Sequence, residues 1–198
     1  TIPMLPERLS NGLCSLRPNE AKFCFSVVFE MTPEAVVKNS RICRTLIKSD
    51  RRFTYEEAQE VIEKGAGECE EAILAMDGLA KKLRAKRFKD GAIAFERYEV
   101  KFEIDEHGKP LSVYFKESKD ANKMIEEFML LANRTVAEFV GKVPQGKTKK
   151  TFVYRIHDLP DPDKMENFAS FIRRFGYKLK TDGSKTDVSK GINHLLDE

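Results

Sequence analysis

The longest uninterrupted helical period in the chain runs from Asp120 to Val140. Met124, Phe128, Leu131, Thr135 and Phe139 recur at three- and four-residue steps, with Ile125, Met129, Ala132 and Val136 beside them. At about 100° per residue these side chains fill one broad apolar arc. Lys123, Glu127, Arg134 and Glu138 fall on the opposite side, which the wheel assigns to solvent. Asn122, Glu126 and Asn133 form a polar stripe on the border of the arc. Such a stripe is either a half-wet boundary or the rim of a ligand groove, and periodicity leaves both open.

The rest of the chain reads in shorter segments. Pro3, Pro6 and Pro18 punctuate an extended N-terminal loop. Odd positions from Phe23 to Met31 are all apolar, the period of a half-buried strand, and a second strand is predicted over Ser40 to Lys48. Thr54 and Glu57 form a capping box for a helix over Tyr55–Lys64, ended by Gly65 and Gly67. A longer helix runs from about Glu70 to Arg87, with Ile73, Met76, Leu79, Ala80 and Leu83 as its buried face. Tyr98, Val100, Phe102 and Ile104 alternate with charged residues as a strand. Phe95 has the opposite phase: it precedes a bulge, serves a surface that wants an aromatic, or belongs to a second small core. Asp105–Pro110 is a turn, and Leu111, Val113 and Phe115 mark the returning strand. Beyond the 120–140 helix a strand is predicted over Phe152–Ile156. Asp161 is placed as N-cap and Pro162 as first residue of a helix whose apolar face is Phe168, Phe171, Ile172 and Phe175, stopped by Gly176. The tail begins another helix. These elements predict an α+β fold: a mostly antiparallel sheet packed against long helices, with the 120–140 helix on one face.

Composition narrows the setting. A chain of 198 residues forms one domain by default and is long enough to bury a core. No apolar run reaches membrane-span length and no charged-then-apolar leader opens the chain, so a cytoplasmic location is expected. Cys14, Cys24, Cys43 and Cys69 are scattered and read as reduced and mostly buried. His107, His157 and His194 are equally isolated, which argues against a zinc site. The net charge of +3 is unevenly spread. Glu56 to Asp77 carries eight acidic residues and one lysine, Lys81 to Lys89 has six basic residues in nine, and Gly141 to Lys180 has ten Lys/Arg against four Asp/Glu. Each cluster suits a polyanion partner or is simply a solvated face.

Several motifs together carry a family resemblance: MLPERLSNGLCSLRPNE at 4–20, RFTYEEAQ at 52–59, GAIAF at 91–95, ANKMIEEFMLLAN at 121–133 and RIHD at 155–158. In this order and spacing the chain resembles the middle of the catalytic (RNB) domain of the ribonuclease II/ribonuclease R family, closer to ribonuclease R. The resemblance implies a single partial RNB-type domain over residues 1–198, truncated at both ends. It implies a processive 3′→5′ hydrolytic exoribonuclease that threads single-stranded RNA and releases nucleoside monophosphates with Mg²⁺. Phe95 matches the phenylalanine at one end of the family's base stack. Glu126 matches the glutamate that holds the terminal nucleotide, through a ribose hydroxyl that DNA lacks. Asn122 and Asn133 match positions with supporting roles. The family's aspartate run, its stacking tyrosine and its SPIRRY-like arginine fall outside this chain. The chain alone is therefore expected to hold no catalytic residue and no metal ligand, and to be inactive. The parent is expected to be monomeric and not membrane-bound, while the fragment's bare apolar surface favours self-association.

The alternative is a non-catalytic RNA- or protein-binding relative that kept the fold. A third reading, a nucleotide hydrolase, rests on GKVPQGKT at 141–148, which fits the P-loop pattern but follows a helix where a strand is needed and carries Pro144 where an amide is needed. Asp158, Asp161 and Asp163 imitate a metal cluster, with capping and turn roles as the simpler account. Arg173 and Arg174 of SFIRRF imitate the arginine motif from within an amphipathic helix.

Overall fold

The structure, a computed structural model, describes residues 4–93, 99–144, 146–148, 150–156, 160–180 and 184–196. Its centre is a trio of helices: α1 (Tyr55–Lys64), α2 (Glu70–Lys89) and α3 (Asp120–Gly141), each packed on the other two. Local chemistry sets where they begin and end. Thr54 Oγ1 accepts from Glu57 N at 3.1 Å, and Glu57 Oε2 accepts from Thr54 N at 2.7 Å. The two bonds satisfy reciprocal orphan donors at the start of α1. Gly65 ends α1 in the left-handed conformation, at φ 63°. Gly67 then passes so close to α1 that a Cβ there would stand 2.9 Å from Val61 Cγ2.

Small residues let the three helices approach. Ala58 and Val61 of α1, Ile73 and Ala80 of α2, and Ala121 and Met124 of α3 are buried. Polar side chains then tie the trio. Gln59 Oε1 accepts from Ala121 N at 2.9 Å, so α1 caps a first-turn amide of α3. Lys81 of α2 bonds the buried Asp77 at 2.7 Å and reaches Asp120 of α3 at 3.1 Å. Met76, assigned to the inner face of α2, is exposed, and Asp77 takes the inner position because Lys81 can neutralise it.

The fold is α+β with antiparallel pairing, as expected, but the strands form two separate hairpins. β1 (Ala21–Met31) pairs β2 (Val37–Lys48), with a register shift at Glu30/Met31. β3 (Glu99–Ile104) pairs β4 (Pro110–Lys116) around a turn in which Asp105 Oδ1 accepts from His107 N and Lys109 N, each at 2.9 Å. The helix expected to cover a sheet, α3, instead packs on α1 and α2. Burial along β1 changes phase at Ser26/Val27: Val27, Phe29 and Met31 are half-buried as read, whereas Phe23 and Phe25 stand 91% and 78% exposed. The Arg44 guanidinium lies 5.6 Å from the centre of the Phe25 ring.

Other expectations change. The N-terminal loop contains a π-helical turn over Arg8–Leu13. Phe152–Ile156 is exposed and joins no ladder among the described residues, so its β-prone composition finds no edge to pair with. Tyr154 instead donates to the Ala137 carbonyl of α3 at 3.3 Å. Cys14 and Cys69 are exposed while Cys24 and Cys43 are half-buried, all four as free thiols, so the cysteines are wetter than expected.

α4 (Pro162–Arg173) starts as read, with Asp161 Oδ1 accepting from Asp163 N at 2.9 Å and Lys164 N at 3.3 Å. α5 (Lys185–Leu196) follows. Met165, Phe168, Ile172 and Phe175 of the α4 region and Leu195 of α5 line an apolar groove of about 490 Å³. No described helix is long and apolar enough to cross a membrane.

Candidate nucleic-acid interface

The polar border of α3 carries two adjacent carboxylates that differ in environment. Glu127 is 3% exposed and Glu126 is 41% exposed at the side chain. Glu127 had been assigned to the solvent side; it is buried because α3 turns the line Ala121, Met124, Glu127 toward α1 and α2. Ile125, Met129 and Phe139, taken from the sequence as part of a buried arc, are exposed instead. A buried carboxylate needs a cation, and α2 supplies it.

Arg87, forty positions earlier, donates from Nε to both oxygens of Glu127 at 3.1 Å each. Its Nη2 donates to Glu127 Oε1 and, at 2.9 Å, to Glu126 Oε1. The Arg84 Nη1 stands 3.7 Å from Glu127 Oε1. Arg84 and Arg87 also flank the Phe88 ring, 4.8 Å and 5.2 Å from its centre. The hydrogen bonds to Glu127 hold the Arg87 guanidinium above its already high pKa, against the opposing effect of burial. Two arginines and two glutamates thus form a charge-balanced group, and Glu126 is its wet end.

The sequence-predicted residues are only partly brought together. Asn122 Oδ1 accepts from Lys119 N at 3.2 Å, so this side chain closes the first turn of α3. Asn133 is exposed farther along the helix. Phe95 and Asp158 lie outside the described residues. Arg84 and Arg87 were missed as partners of the glutamates. The signal was present: six basic residues at 81–89 and an adjacent Glu pair, but only the packing of α2 on α3 joins them.

Arg87 and Glu127 also stand on the wall of an open groove of about 640 Å³, with Leu83, Leu130, Lys86 and Arg134. Its cations are already engaged: Lys86 by Asp90, and Arg134 by Glu138 at 3.1 Å. Of the basic run of α2, Lys81, Arg84, Lys86 and Arg87 are ion-paired, and Lys82 donates to the Pro33 carbonyl.

The decoys fall away on geometry. Gly141 ends a helix, Gly146 sits in a turn at φ 85°, and among the described residues no helix follows before α4, so the described amides do not meet a helix N-terminus there. Asp161 is occupied as an N-cap. Arg173 lies in the last turn of α4 and Arg174 is its C-cap, both exposed. Among the described residues no three His, Cys, Asp or Glu side chains are grouped to hold a metal, so these residues do not fit the implied Mg²⁺.

A family model for the RNB domain matches residues 1–198. The chain is 35% identical over 194 residues to ribonuclease R 1 of Lactococcus lactis, covering 94% of this chain and 23% of that protein. It is 37% identical over 185 residues to ribonuclease R of Aquifex aeolicus, covering 90% of this chain and 26% of that protein. The fold is similar to that of Mycoplasma genitalium RNase R solved in complex with double-stranded RNA, at TM-score 0.84 and 26% identity over 98% of this chain and 35% of that one. The chain therefore spans about a quarter of the length of the curated relatives it matches.

Proposed function

Because this chain belongs to the RNB-domain family, we propose that it is an interior part of a processive 3′→5′ exoribonuclease that hydrolyses single-stranded RNA to nucleoside monophosphates in the cytoplasm. The observation that carries this reading is the family match along the whole chain, supported by similarity to ribonucleases R. Within it, Glu126 accepts from the ribose hydroxyls of the 3′-terminal nucleotide. A carboxylate at the wet edge of a buried ion-paired group suits that task, since its position is set before the ligand arrives. Phe95 stacks on a terminal base, Asn122 supports Glu126 by fixing the start of α3, and Asn133 extends the same border. Mg²⁺ would supply metal-assisted attack of water on the phosphodiester, held by residues of the parent outside this chain.

The test is stepwise shortening of a 5′-labelled single-stranded RNA with Mg²⁺ present. The intact parent should shorten the RNA stepwise from its 3′ end, and residues 1–198 alone should leave it whole. Turnover by residues 1–198 would overturn the placing of the metal ligands elsewhere. Binding without shortening by the intact parent would favour a non-catalytic RNA-binding relative.

A further inference from the structure

Glu126 has its Oε1 bound by Arg87 Nη2 at 2.9 Å, and its Oε2 meets no partner among the described residues. A lone glutamate on a helix border would sample several rotamers, and fixing one costs side-chain entropy when a ligand binds. Here that ordering is done in advance, because the guanidinium that fixes Glu126 is itself fixed. Arg87 grips the buried Glu127 with a fork of Nε and Nη2, and a neutralised carboxylate 3% exposed has nowhere to move. Lys could not do the same, since an ammonium offers no planar fork to two carboxylates at once.

We propose that Arg87 is a positioning residue for RNA-end recognition: clamped on Glu127, it holds Glu126 so that the free Oε2 faces the terminal ribose. The proposal rests on the reading of Glu126 as a ribose contact. It assigns no contact with RNA to Arg87 itself. Its mark is selectivity, because an ordered acceptor favours an end that donates a 2′-hydroxyl over one that does not.

The test uses the intact protein that carries this chain, with EDTA present so that RNA is bound but not cut. Two oligoadenylates are compared that differ only in the 3′-terminal nucleotide, ribose against 2′-deoxyribose. The natural protein should prefer the ribose end by about tenfold, the scale of one charge-assisted hydrogen bond. Glu126→Gln should remove most of that preference. Arg87→Met should bring it to about twofold or less, and Arg87→Lys should recover only part, because the fork is lost. A merely structural Arg87 would weaken both oligonucleotides alike and leave their ratio unchanged, and that result overturns the proposal.

Arg87→Met strands a buried carboxylate and can fail to fold. In that event the pair is removed together, as Arg87→Met with Glu127→Leu, since replacing both partners by apolar groups is often tolerated. The same ratio is then read. If Glu126→Gln keeps the ribose preference, the reading of Glu126 fails and the proposal with it. If Glu126→Gln loses the preference and both Arg87 variants keep it, the role of Arg87 alone fails.

Discussion

A carboxylate inside a protein needs compensating partners, and at Glu127 two arginines of α2 supply them. Its neighbour Glu126 shares one of them while remaining in contact with water. The two residues should therefore differ sharply in what they contribute to stability. Glu127→Ala leaves a partly buried guanidinium without its main partner and should cost about 3 kcal/mol. Glu126→Ala, at a half-exposed pair, should cost less than about 1 kcal/mol. Urea unfolding of both variants checks the contrast, and equal losses would contradict it. At this scale the sequence showed where polar residues border α3 but not which way they face. Periodicity gives relative angles around a helix, whereas the absolute rotation is set by what the helix packs on. The α1–α2–α3 contact takes the line Ala121, Met124 and the salt-bridged Glu127 inside, which leaves Ile125 and Met129 turned out.

Elements were legible where their signals are local. The bounds of α1 follow from Thr54, Glu57 and Gly65, and those of α4 follow from Asp161 and Pro162; all of these act within a few residues. Thr54→Ala should lower stability by about 1 kcal/mol, measured by thermal unfolding. The partner of that cap gives a pH dependence. The Thr54 backbone N–H, then Arg51, hold the Glu57 carboxyl below its ordinary range. A depressed folded value means that its contribution is present at neutral pH and lost as pH falls through that value. Glu57→Gln should therefore be less stable than the natural chain at pH 7, with the gap closing in acid. A gap that persists unchanged at pH 3 would refute it. The β3–β4 pairing was legible because the Asp105–Pro110 turn joins two alternating segments directly, whereas a strand with no such turn beside it has no partner that composition names. Phe152–Ile156 has a strand's composition and remains unpaired, while β1 and β2, adjacent in sequence, find each other through a short connection.

For the whole molecule, the alternation of β1, β3 and β4 was read as one face of a single sheet, yet each hairpin stands as a two-stranded layer. Two strands alone bury little, and Phe23, Phe25, Phe102 and Phe115 remain exposed. The chain in isolation should self-associate as concentration rises, seen as a growing sedimentation coefficient. Phe23→Ser with Phe25→Ser should reduce the effect, and monomeric behaviour of the natural chain at every concentration would contradict it.

The β3–β4 hairpin departs from the end of α2 and rejoins the chain at the start of α3. Those two helices are fastened to each other by Arg87 with Glu127 and by Lys81 with Asp120, bonds in which the hairpin takes no part. Lengthening its Asp105–Lys109 tip adds closure entropy of only about 0.6 kcal/mol per doubling. A foreign epitope or a fluorescent tag grafted at that tip would leave the glutamate pair undisturbed, which makes the tip a natural handle for following the protein.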